Sequence, residues 1–223
     1  MNPAINEELN IPEDVKCIAF DFDGTMVNSK DLFVKIFNQL AQKHKFLAMT
    51  QENMPEIRKL SIKERFKYLG VPMYKLPYLS AVFLNLYNKS AHEISIVKGI
   101  REVIYDLHRN GYKLAIISSN SRKNVDHFLE NHQITCISHI HCSSNIFGKD
   151  KMIRKFLQTY KFNSDEVIYV GDEQRDIEAS KKNNLKILWV NWGYDTLDAV
   201  IEHQPDYIIN KPEEILKIFN ITS

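Results

Sequence analysis

Five short, mostly apolar runs recur along the chain: Cys17–Phe20, Lys113–Ile117, Val167–Val170, Ile187–Val190 and Tyr207–Ile209. Their apolarity is continuous rather than alternating, which predicts strands of a parallel sheet covered on both faces. Helical spacing fills the intervals, over Ile100–Arg109, Ser121–Asn131, Lys149–Tyr160, Arg175–Asn183 and Pro212–Phe219. The first of these stops at Asn110-Gly111, and the last begins on a proline, both ordinary helix-end chemistry. Strand and helix in alternation argue for an α/β fold, a three-layer open parallel sheet with right-handed crossovers.

One stretch breaks the alternation. Between Lys30 and Ile94 no strand pattern appears, and the periodicity predicts helices near Asp31–His44, Gln51–Lys59, Ile62–Leu69 and Tyr74–Asn88. This reads as an all-helical domain, residues 29–96, inserted into a core formed by 1–28 and 97–223, with hinges near Asn28–Lys30 and Ser95–Gly99. An insert at that point overhangs the carboxyl ends of the strands, where open α/β sheets bind ligands, and so has the placement of a lid.

Net charge is +1, which supplies no global basic field for nucleic acid. The charge is uneven, however. Lys30 to Ile96 holds eleven Lys/Arg and five Asp/Glu, a net of +6 against −5 for the remainder, as suits an anionic substrate beside an acidic metal site. The ordinary alternative is a solvated basic helical face. Three cysteines without a CxxC pair, a polar opening MNPAINEELNIPED and no apolar run near ~20 residues predict free thiols, no membrane span and a cytoplasmic setting. Cys136-Ile-Ser-His139-Ile-His141-Cys142 matches no closed zinc spacing, and its alternating Ile reads as a strand.

Candidate chemistry gathers where strands end. Asp21 and Asp23 lie one residue apart after the first strand, followed by Gly24 and Thr25. Two carboxylates side by side repel unless a cation or a proton-transfer task justifies them, and Gly24 lets the backbone turn closely past a ligand. Gly171-Asp172-Glu-Gln-Arg-Asp176 repeats the pattern after another buried strand. Asp21, Asp23 and Asp172 could share one hard cation, for which Mg2+ is suited. Ser118, Ser119 and Asn120 stand between a strand and a helix, either as an anion cradle or as an ordinary helix cap at Ser119–Ser121. Lys149 opens a further helix and can reach a phosphate, with Lys151 as its competitor.

Taken in order, Asp21-Phe-Asp23-Gly24-Thr25, Ser118, Lys149 and Gly171-Asp172-x-x-x-Asp176 resemble the four motifs of the haloacid dehalogenase superfamily. The resemblance spans Lys16 to about Phe219, and the helical insert looks like the small cap of the phosphoglycolate phosphatase and β-phosphoglucomutase branch. It implies that Asp21 is a nucleophile attacking phosphorus, and that Asp23 is the acid and then the base. It implies Mg2+ held by Asp21, the Asp23 backbone oxygen and Asp172. Gly24, Thr25, Ser118, Ser119, Asn120 and Lys149 would bind phosphate, with Asp176 supporting from behind. The chain departs from that branch in carrying Asp150 after the lysine rather than Pro, Asn28 where many relatives have Asp, and Lys98 for a frequent Pro. The second acid, Asp23, separates it from the dehalogenases, which lack one.

The expected activity is a Mg2+-dependent phosphatase acting on a small phosphorylated metabolite, with no nucleic-acid or membrane partner, as a monomer or homodimer. A phosphomutase and a non-catalytic scaffold are the alternatives. Phosphoglycolate, a nucleotide monophosphate and a sugar phosphate all remain open. Arg58, ahead of Lys59 and Lys63, is the preferred substrate contact because a planar fork suits a carboxylate. Tyr74, Tyr78 and Phe83 serve either the insert's core or an interface, and Trp192 and Tyr194 either the site or a sheet edge.

Overall fold

The computed structural model describes residues 14–143 and 147–221, the side chain of Ala91 excepted; the polar opening noted above, save its last residue Asp14, falls outside the described residues. Its main sheet has six parallel strands in the order β5-β4-β1-β6-β7-β8. These are β1 (Cys17–Phe20), β4 (Lys113–Ser118), β5 (Ile137–Cys142), β6 (Val167–Gly171), β7 (Lys186–Val190) and β8 (Tyr207–Ile209). The two remaining strands, β2 (Val27–Asn28) and β3 (Ser95–Ile96), form a separate antiparallel pair.

Alternation along the strands sends successive side chains to opposite faces, and each face has its own core. On one face Ile18, Phe20, Ile116, Val170 and Leu188 are buried under α5 (Ile100–Arg109), α6 (Arg122–Asn131) and α10 (Glu213–Ile218). On the other, Ala19, Ile117, Tyr169 and Trp189 are buried under α7 (Lys149–Tyr160), α8 (Gln174–Lys182) and α9 (Leu197–Val200). Helix α5 shows the logic: Ile100, Val103, Ile104 and Leu107 make one buried stripe, and Gly111 at φ +89° lets the chain turn back into β4.

The insert contains α1 (Lys30–His44), α2 (Met54–Ile57), α3 (Ile62–Tyr68) and α4 (Leu76–Lys89). Phe37, Met49, Ile57, Leu69, Val71 and Leu79 form a small apolar cluster of its own, while Leu32, Ile36, Leu40 and Tyr87 join the main core. Its second helix is a single turn, shorter than the periodicity from Gln51 to Lys59 predicts, and Pro77 delays α4 to Leu76. The two expected hinges are paired with each other, Val27 opposite Ile96 and Asn28 opposite Ser95. Chain entry and exit are therefore tied together.

Register positions the chemistry. Phe20 lies opposite both Ile116 and Val170, so Asp21, Ser118 and Asp172 all emerge at one carboxyl edge. From β1 the chain builds outward to β4 and β5, then crosses to β6, which makes that edge the crevice where strand order reverses.

Leu107→Ala should lower stability by about 2–5 kcal/mol, because Leu107 is fully buried against the sheet. Urea unfolding should show an earlier midpoint with an unchanged slope.

Candidate active site at the strand ends

Asp21 leaves β1 with its N–H donating to the Val170 carbonyl at 2.7 Å, which anchors it to the neighbouring strand end. The chain then folds into a tight turn, the N–H groups of Met26 and Val27 donating to the Phe22 carbonyl. Gly24 takes φ +85° inside this turn, and a Cβ there would lie 2.4 Å from an Asp172 carboxylate oxygen. Only glycine meets both demands. The turn also swings Asp23 away from Asp21, so the repulsion expected for a continued strand is avoided.

Carboxylate oxygens of Asp21, Asp172 and Asp176 lie within 4.8 Å of one another, all buried. Thr25 Oγ1 donates to Asp172 Oδ1 at 2.8 Å and the Tyr194 N–H to Asp172 Oδ2 at 2.6 Å. Asp176 Oδ2 accepts from the N–H groups of Asp172 and Glu173 at the start of α8. Lys149, itself buried, places Nζ 2.6 Å from Asp21 Oδ1 and 3.1 Å from Asp176 Oδ1. One ammonium thus sits between two of the three acids. Burial pushes the Asp21 carboxyl up to about 7, Lys149 working against it and Asp176 with it. Burial, with Glu173, Asp176 and Asp21 adding to it, raises Asp172 well above the usual carboxylate range. Burial would lower Lys149, but Asp176 and Asp21 reverse this and leave it raised.

A divalent cation fits this cluster. Three buried carboxylates share a single ammonium, Asp176 Oδ1 having only the ion pair to Lys149 and no well-aligned hydrogen bond, and the donor set is the hard oxygen chemistry that Mg2+ accepts. Among the described residues this is the group of carboxylate, imidazole or thiolate donors close enough to share an ion. The Cys136–Cys142 segment is strand β5, as its alternation predicts, and His139 stacks on Tyr160. The three thiols are free.

Asp23 is not part of the acid cluster. Its Oδ1 accepts from the Tyr87 hydroxyl at 2.5 Å and its Oδ2 from Asn120 Nδ2 at 2.9 Å. Asn120 is held in turn by Asn124, whose Nδ2 donates to its Oδ1 at 2.7 Å. Ser118 Oγ accepts the Asn120 N–H at 3.0 Å, and Ser119 Oγ accepts from Arg175 at 3.1 Å. The helix cap of α6 is Ser121, and Ser119 and Asn120 line the cavity while Ser118 is buried beneath them. Lys151, the competitor of Lys149, is exposed.

Arg58 lines the cavity above the site, but its guanidinium donates to main-chain carbonyls, Nε to Tyr194 at 2.8 Å and Nη2 to Gly193 at 3.2 Å and Asp195 at 3.3 Å. Lys59 and Lys63 are exposed. Arg65, on α3, bridges Asp195 and Glu173, and Glu173 also holds Arg175 at 2.5 Å. Burial pushes Asp195 up to about 6 against the pull of Arg65. For Glu173 burial loses to Arg175 and Arg65, which hold it below the usual carboxylate range.

Four neighbours of these acids escaped the sequence reading: Tyr87, Glu173, Arg175 and Gly193. Glu173 and Arg175 lay in plain view between Asp172 and Asp176. Gly193 approaches so closely that a Cβ would lie 2.0 Å from the Asp172 Cβ. Tyr87 had no local signal, since its partner is 64 positions away. Tyr194 packs at the site, against Phe33 and with its hydroxyl 2.9 Å from Ser29 Oγ.

Known proteins are similar to this chain along most of its length. A phosphoglycolate phosphatase of Synechococcus elongatus is 24% identical over 91% of this chain and 96% of its own length. The pyrophosphatase PpaX of Listeria innocua is 26% identical over 92% and 96%. A haloacid dehalogenase-like hydrolase from Streptococcus pneumoniae superposes with a TM-score of 0.78 at 22% identity, covering 92% of this chain and 99% of that one. The family model described as haloacid dehalogenase-like hydrolase matches residues 18–190, a span that carries every strand-end acid of the site, and the chain belongs to that family.

Proposed function

We propose that this protein is a Mg2+-dependent phosphatase that hydrolyses a small-molecule phosphate monoester through an aspartyl-phosphate on Asp21. The observation that carries this reading is the division of labour among the acids. Asp21, Asp172 and Asp176 converge on one point, while Asp23 is turned aside and held by neutral donors. A cation site and a proton-transfer group are thereby separated, though their residues are two apart.

Bound by Asp21 and Asp172, with Asp176 behind, Mg2+ would neutralise the charge that otherwise repels an anionic substrate from a carboxylate. The other roles belong to the chain's own groups. An Asp21 oxygen attacks phosphorus as the ester P–O bond breaks, and Asp23 delivers a proton to the departing oxygen. Asp23 then takes a proton from the water that attacks the aspartyl-phosphate, which releases phosphate and restores Asp21. Tyr87 and Asn120 fix the orientation of Asp23 through both steps. Ser118, Ser119, Asn120, the Gly24-Thr25 turn and Lys149 surround the place of the phosphoryl group.

Residues 29–96 are proposed as a cap domain over a core of 1–28 and 97–223. Support comes from the insert's own apolar cluster and from its attachment through the β2–β3 pair. The cap supplies Tyr87 to the acid–base residue and docks Arg58 and Arg65 on the loop after β7. A closed cap would exclude bulk water from the chemistry. Among the described residues no helix is long and apolar enough to cross a membrane.

Asp21→Asn should release no phosphate from any ester while keeping the wild-type circular dichroism and thermal unfolding; turnover by this variant would exclude Asp21 as nucleophile. Chelation should abolish activity and added Mg2+ restore it, and hydrolysis that persists in chelator would refute the metal assignment. Tyr87→Phe removes one charge-assisted hydrogen bond from Asp23 and should lower kcat about tenfold, in line with ~1.5 kcal/mol for such a bond. Steady-state kinetics on the folded variant checks this.

A further inference from the structure

The proposed reaction leaves the alcohol part of the ester unnamed, and the cap cavity bears on it. A cavity of about 370 Å3 opens onto Asp23, Ser119 and Asn120. At ~30 Å3 per water this is room for roughly a dozen waters, far more than a phosphoryl group needs. Away from the strand ends its wall is apolar, with Phe33 and Val34 from α1, Phe46 beyond it, Met54 from α2, Phe66 from α3 and Phe83 from α4. Phe33 packs against Phe83 with tilted rings at 5.1 Å and edge-to-face against Tyr194 at 5.6 Å, so the aromatic wall runs continuously to the loop over Asp172. These side chains keep part of their surface open rather than filling the space.

Of the charged groups that line the same cavity, the arginines are engaged elsewhere, and Asp31, an exposed carboxylate on α1, offers nothing to an anion. Arg58 donates to three main-chain carbonyls, Arg65 is paired with Asp195 and Glu173, and Arg175 with Glu173 and Ser119. Lys30 also lines the cavity, but it stands at the first residue of α1, next to the core strand pair, close enough to Asp172 to feel its charge. That position serves the phosphoryl end. A leaving group bearing a carboxylate would lose hydration against Phe33, Phe83 and Met54 and meet a like charge at Asp31, and one bearing many hydroxyls would find few replacement bonds there beyond Asp31 and Ser80.

Building on the phosphatase reading, we propose that the substrate is the phosphate monoester of an apolar alcohol, an alkyl or aryl group seated among the cap aromatics, and not a small anionic or sugar phosphate. The bond cleaved is the P–O ester bond; the apolar alcohol leaves with the proton from Asp23, and water supplies the oxygen that completes inorganic phosphate.

The test is a homologous series of methyl, butyl, hexyl and octyl phosphate, whose leaving groups differ in length and little in acidity, with phosphoglycolate, glucose 6-phosphate and pyrophosphate beside them, all with Mg2+. The expected kcat/KM climbs by up to about fourfold per methylene until the cavity is full, and hexyl phosphate exceeds the three polar substrates. A flat or falling series led by phosphoglycolate or pyrophosphate overturns the inference and leaves the phosphatase reading intact. Release of phosphate from none of them overturns the phosphatase reading. In that event calorimetric binding to Asp21→Asn protein still decides the ligand class. Hexyl phosphate should bind at least about tenfold tighter than phosphoglycolate with a negative heat-capacity change, and the reverse order refutes the proposal. Val34→Asp, on the cavity wall, should flatten the chain-length series; a purely structural effect would lower all members equally.

Discussion

Three carboxylates buried at the end of a parallel sheet, with one ammonium among them, are the constraint around which this molecule is arranged. Asp21, Asp172 and Asp176 would be expensive as neighbours in a protein interior if nothing offset their charge. The offsets are structural and specific: Lys149 between two of them, Thr25 and a main-chain N–H on the third, and the first turn of α8 on Asp176. A cation would relieve what remains. The site's preference would be for a hard divalent ion, since the donors are all carboxylate oxygens.

That arrangement reaches outward through the loop after β7. Gly193 and Tyr194 press on Asp172, and the carbonyls of the same loop receive Arg58 from the insert. Arg65 and Glu173 make a second crossing, and Tyr87 makes a third, directly onto Asp23. The geometry of the acids and the position of the insert are consequently coupled. An insert that lifted away would take Tyr87 from Asp23 and release the loop that braces Asp172.

The helical insert has an unusual balance for a basic segment. Its net charge of +6 suggests from sequence an electrostatic reception for an anion. In the fold, Arg58 and Arg65 are consumed in docking it to the core, and what it presents to the cavity is largely aromatic and aliphatic. Charge count and charge availability are different quantities, and only the second bears on substrate recognition.

Much of this was legible in the chain itself. The unbroken apolarity of Cys17–Phe20 and Val167–Val170, the stripe from Ile100 to Leu107, and the acids and glycines that follow each strand are local patterns, and local patterns determine strands, helices and turns. The parallel α/β core and the meeting of Asp21, Ser118, Lys149 and Asp172 follow, because parallel strands can only present their carboxyl ends together. Partners distant in the chain leave no such local pattern. Nothing near Tyr87 announces Asp23, and nothing near Arg58 reveals that its fork would meet carbonyls after β7. The one-turn α2 and the zipped β2–β3 hinge depend on packing that no short window contains. Sequence determined which residues could do chemistry, since side-chain type and backbone propensity are local; tertiary structure decided which of them were already spoken for, since hydrogen bonds and buried charges are settled by neighbours across space.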